Sequence, residues 1–118
     1  MTVLILEPLE AEVVQWLAER HDARFAPELV GDFEGLAEAL RDVRALVAPP
    51  EVRIDAELVH CAPRLRAIGR ASGGAENIDV EACRKAGVDV VRSQTSTASA
   101  EAEFAIGALL SLLRRVPV

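Results

Sequence analysis

Residues 65–92 read LRAIGRASGGAENIDVEACRKAGVDVVR, and the architecture is decided by how this stretch divides. Leu65 to Arg70 is short and mostly apolar, as a strand is, and two adjacent glycines, Gly73 and Gly74, follow it. Asp79 stands where a side-chain oxygen can accept from the first N–H groups of a helix. Gly87 falls where a left-handed residue closes a helix without steric cost. Val88 to Arg92 returns to strand. Strand, loop, helix and strand in this order make a parallel crossover, which closes right-handed.

The same alternation runs back toward the N-terminus. Thr2 to Leu6 (TVLIL) is a nearly continuous apolar run, expected of a strand covered on both faces. From Leu9 to Arg20 the spacing turns helical, with Leu9, Val13, Val14 and Leu17 on one side. His21 to Ala26 is a second strand, and Asp32 caps a helix containing Leu36, Ala39 and Leu40. Val43 to Ala48 is a third, ended by Pro49 and Pro50, which lack N–H donors. Asp55 caps a short helix through Cys61. Beyond the crossover, Ser99 to Arg115 is the longest helix, with Glu101 and Glu103 early and Arg114 and Arg115 late, as the helix dipole favours. Five strands alternating with helices predict an α/β fold: a flavodoxin-like five-stranded parallel sheet in the order 2-1-3-4-5, flanked by helices, with a long C-terminal helix. The Leu and Ile side chains of that last helix spread over about 160°, from Leu112 to Leu110, at about 100° per residue. One sheet needs a narrower stripe, so a second apolar neighbour is expected, and with it a homodimer through this helix.

Composition narrows the function classes. The 118 residues fall within the size of one domain. They are 51% hydrophobic with one Trp, three Phe and no Tyr, so the core must be aliphatic. A net charge of −6 disfavours nucleic acid and anionic membrane as partners, since both require a basic face. A small anion held by a local site stays open. No apolar run approaches the roughly 20 residues that span a bilayer, and Glu7 and Glu10 interrupt the opening run where a signal peptide would continue. Cys61 and Cys83 form no CxxC motif and read as free thiols of a cytoplasmic protein, with a disulfide left open. His21 and His60 stand in no metal-ligand spacing and read as structural.

Ligands of open α/β sheets bind beyond the carboxyl ends of the strands. Those ends are Glu7-Pro8, Ala48 to Glu51, Arg70 to Asn77 and Arg92 to Thr97. In the third, RASGGAENID, successive N–H groups can form a concavity suited to a carboxylate. A plain strand-to-helix turn, with Asn77 and Asp79 as turn and cap residues, fits the same letters. Residues 65–117 as a whole resemble the NAD-dependent D-isomer-specific 2-hydroxyacid dehydrogenases, the phosphoglycerate dehydrogenases among them. The family's R-A-G-V-G-V-D-N-I-D is matched at Arg70, Gly74, Asn77 and Asp79, with departures at Ser72, Gly73, Ala75 and Glu76. The resemblance implies that Ser72, Gly73 and Gly74 hold the substrate carboxylate. Where the family has V-R-S-x-T, this chain has Pro49 and Pro50, leaving Arg53 as the candidate to meet the substrate anion; an exposed, solvated arginine is the alternative. The family's N-A-P-x-x-N-T-x-S-V-A-E-H places Thr97 and Glu103 as cofactor contacts, with Thr97, Ala98, Ala100 and Phe104 departing from it; a polar Ser/Thr loop capping a helix, with no ligand, is the alternative.

The resemblance implies a small 2-hydroxy or 2-oxo acid as substrate and NAD as cofactor of the intact enzyme. The sequence has no G-x-G-x-x-G turn, and the family's Arg, Glu and His of catalysis come later in the chain. The expectation is a substrate-binding domain over residues 1–98 and a linking helix over 99–118 toward a nucleotide-binding domain, binding no cofactor and inactive alone. No catalytic residue is assigned. The alternative is a stand-alone flavodoxin-like module binding a small carboxylate or a protein partner. A receiver-type domain would need clustered acids after the first strand and a Lys after the fifth; Glu7 and Arg92 do not supply that set.

Overall fold

The computed structural model describes residues 3–7, 11–20, 22–70 and 76–92. Among the described residues, five strands, β1 (Val3–Ile5), β2 (Ala23–Phe25), β3 (Ala45–Val47), β4 (Ala67–Arg70) and β5 (Asp89–Arg92), alternate with α1 (Ala11–Arg20), α2 (Phe33–Ala39), α3 (Ala56–His60) and α4 (Val80–Lys85). The strands form one sheet in the order β2-β1-β3-β4-β5, every pair parallel, as the alternation predicts. Each strand is shorter than its apolar run. Leu6 and Ala48 still extend the ladder, their N–H groups donating to Val47 and Gly69 carbonyls at 2.8 and 3.0 Å.

Register explains the core. Leu4, Leu46, Ile68 and Val90 lie side by side across four strands and share one face. Leu36, Leu40, Leu58 and Cys83 pack against that row. The alternate residues Val3, Ala45 and Ala67 are also buried, so the sheet is covered on both faces, as a parallel sheet must be. β2, at one edge, is largely open, with Phe25 42% exposed.

Asp32, Asp55 and Asp79 cap α2, α3 and α4, accepting from the N–H groups of Gly35, Leu58 and Ala82 at 3.1, 3.0 and 3.0 Å. Gly87 closes α4 at φ 77°, the left-handed value its position demands. The expected second helix breaks early, however. Leu40 opens a 3₁₀ turn (Leu40–Asp42) whose end donates from Val43 N–H back to Leu40, tightening the chain into β3. The long helix expected over 99–115 lies outside the described residues. Among the described residues, no helix is long and apolar enough to cross a membrane.

Candidate functional site at the strand ends

The carboxyl ends of β1 and β4 hold the buried charges. Among the described residues, Glu7, two positions after β1, is 7% exposed, and Arg70, the last residue of β4, is 3% exposed. A buried charge is costly unless it is held by partners. Arg70 has such partners. Its Nη1 donates to Asn77 Oδ1 at 2.5 Å and lies 3.3 Å from Glu76 Oε1.

Asn77 extends the link sideways. Its Nδ2 donates to the carbonyls of Pro49 and Val52 at 3.2 and 2.6 Å. The main chain reinforces it: Ile54 N–H donates to Asn77 O, and Asp79 N–H to Ile54 O, both at 2.8 Å, forming an isolated parallel bridge between Ile54 and Ile78. The loop after β3 and the turn after β4 are therefore one assembly. Between them opens a cleft of about 470 Å³ lined by Pro50, Arg53, Asp55, Glu76, Asn77 and neighbours.

Arg53 lies on this cleft with its side chain 87% exposed, and its Nε is 3.9 Å from Asp55 Oδ2. Such an open pair contributes little and leaves the guanidinium accessible. Glu51, Asp55, Glu76 and Asp79 line the same cleft, so its charged walls are acidic on balance. An anion bound beside them must rely on directed N–H donors more than on the local field. Ser72, Gly73, Gly74, Thr97 and Glu103 lie outside the described residues. A second hollow of about 690 Å³, lined by Val59, Ala62, Ala82 and Val88 between α3 and α4, shares only Asp79 with the strand-end cleft. No group of three or more His, Cys, Asp or Glu able to hold a metal exists among the described residues.

Sequence reasoning found the strand ends and read Asn77 as a turn residue. It missed the Arg70–Asn77 link and the burial of Glu7. A charge at the end of an otherwise apolar parallel strand was the available signal for the burial of Glu7 and Arg70, while no local pattern marked the link to Asn77.

The family model for the catalytic domain of D-isomer specific 2-hydroxyacid dehydrogenases matches residues 3–109. A D-3-phosphoglycerate dehydrogenase of Methanocaldococcus jannaschii is 30% identical over 115 residues, covering 98% of this chain and 22% of that protein. A glyoxylate reductase of Thermococcus kodakarensis is 36% identical over 113 residues, covering 96% of this chain and 31% of the relative. This chain thus spans between a fifth and a third of the length of these two curated relatives. A solved 3-phosphoglycerate dehydrogenase of Entamoeba histolytica, with NAD+ bound, superimposes with a TM-score of 0.60 at 23% identity, over 78% of this chain and 32% of that one.

Proposed function

Because the chain belongs to the D-isomer specific 2-hydroxyacid dehydrogenase family, we propose that it forms the acid-binding part of an NAD-dependent oxidoreductase. The enzyme acts on the CH–OH group of a small 2-hydroxy acid, or in reverse on the 2-oxo acid. The observation that carries this reading is the strand-end assembly. Arg70 and Asn77, on either side of 71–76 in the sequence, are joined to each other and, through Asn77, to the loop after β3, at the edge of the sheet where such folds bind ligands.

Oxidation of a 2-hydroxy acid removes a hydride from C2 and a proton from the hydroxyl, with the carboxylate held still. This chain's share is the holding. The N–H groups of Gly73 and Gly74 and the hydroxyl of Ser72 donate to the carboxylate, and Arg53 meets the substrate from the facing loop. Thr97 and Glu103 would contact NAD in the complete enzyme, and bound there it would supply the hydride acceptor. Residues 1–98 make up the acid-binding unit and 99–118 the helix leading toward the nucleotide-binding domain. The same helix carries a homodimer contact, and the two free thiols suit a cytoplasmic protein.

Titration of the isotope-labelled chain with pyruvate, followed by amide NMR, tests the reading. The Gly73 and Gly74 amides are expected to shift saturably; their indifference to pyruvate would refute it. Mixed with pyruvate and NADH, the purified chain is expected to leave NADH absorbance constant.

A further inference from the structure

We propose that Asn77, supported by Arg70, is a positioning residue that ties the loop 49–52 to the end of β4 and the turn before α4 from a single side chain. The inference rests on the acid-binding reading above and deepens it.

The Asn77 amide makes three hydrogen bonds: Oδ1 accepts from Arg70, and Nδ2 donates to Pro49 O and Val52 O. Its two ends are not interchangeable. A flipped amide would set NH₂ against guanidinium donors and an oxygen against two carbonyls. Aspartate keeps the acceptor facing Arg70 and loses both donors, so its second oxygen opposes the Pro49 and Val52 carbonyls. An apolar side chain of similar size loses all three bonds and leaves buried partners unsatisfied.

The geometry makes this a clasp at a particular place. Its acceptor side ties Asn77, in the turn before α4, to Arg70 at the end of β4. The donor side of the same amide holds the loop 49–52, from whose end Arg53 extends. Neither Arg70 nor Asn77 has to touch the acid. Their effect is to fix the loop 49–52 relative to the end of β4 and the turn before α4, and small displacements at such a site are expensive.

The test uses the whole chain as wild type, Asn77→Asp and Arg70→Lys, at a temperature well below each unfolding transition. Amide hydrogen exchange is measured without ligand, and pyruvate affinity by NMR titration. Asn77→Asp is expected to speed exchange at Ile54, whose N–H donates to Asn77 O, and to weaken pyruvate binding about tenfold, the effect of losing about one net hydrogen bond. Arg70→Lys, which leaves the bonds to Pro49 and Val52 in place, is expected to weaken pyruvate binding with little change at Ile54. A lowered melting temperature with unchanged affinity in both variants makes the pair merely structural and overturns the proposal. Unchanged exchange at Ile54 in Asn77→Asp overturns the clasp itself. Faster exchange in Asn77→Asp, with no pyruvate binding by the wild type, upholds the coupling of the loops and refutes the acid-binding reading instead.

Discussion

Cys83 and Cys61 carry the same thiol in different surroundings. Cys83 is 0% exposed inside α4, while Cys61, closing α3, is half-buried. Burial pushes the Cys83 thiol up, and the negative charge of Asp79 pushes it further. The folded state therefore holds that proton more tightly than the unfolded chain does. The stabilisation is fully present below the ordinary thiol range and is lost as pH rises toward the folded-state value. Urea unfolding is expected to show stability declining above about pH 8.5, with a shallower decline in Cys83→Ala. A thiol reagent should label Cys61 quickly in the native protein and Cys83 only after denaturation, because the thiolate is the reactive form. Two equally fast thiols would contradict the assignment. Asn77 teaches the complementary lesson. Its letter is legible as a turn former, but the three partners that fix its role come from residues 7, 25 and 28 positions away.

Among the elements, helices announce themselves by their ends. Asp32, Asp55 and Asp79 were all readable as caps because capping is a rule about three or four consecutive residues. Each replaced by alanine is expected to cost about 1 kcal/mol in chemical denaturation. Gly87→Ala should cost about 1 kcal/mol as well. A Cβ there meets nothing within 4 Å, so the penalty is backbone strain at positive φ alone. Gly35 differs: a Cβ there would collide with the Asp32 carboxylate, so Gly35→Ala should damage the cap itself. Strand order was equally legible, since a parallel sheet of short crossovers leaves few topologies. The Ile54–Ile78 bridge was not, because it joins two loops with no periodicity of their own. Nor did apolarity mark where α2 gives way to a 3₁₀ turn, since Leu40 is buried in either conformation.

For the molecule as a whole, stability depends on the row Leu4, Leu46, Ile68 and Val90 and on the helices laid over it. Leu46→Ala, at the centre of that row, is expected to cost about 3–5 kcal/mol, read from urea midpoints. Size-exclusion chromatography across the micromolar range is expected to show a dimer, and a monomer throughout would count against the proposed contact of residues 99–115. The order β2-β1-β3-β4-β5 also has a kinetic consequence. The earliest strand is interior, and it acquires both neighbours once Val47 has been made. Each later strand is then added beside its immediate predecessor, on one advancing border. A ribosome releasing this polypeptide from its first residue onward therefore always presents the next strand to a template already in place, and loop closures stay short throughout synthesis.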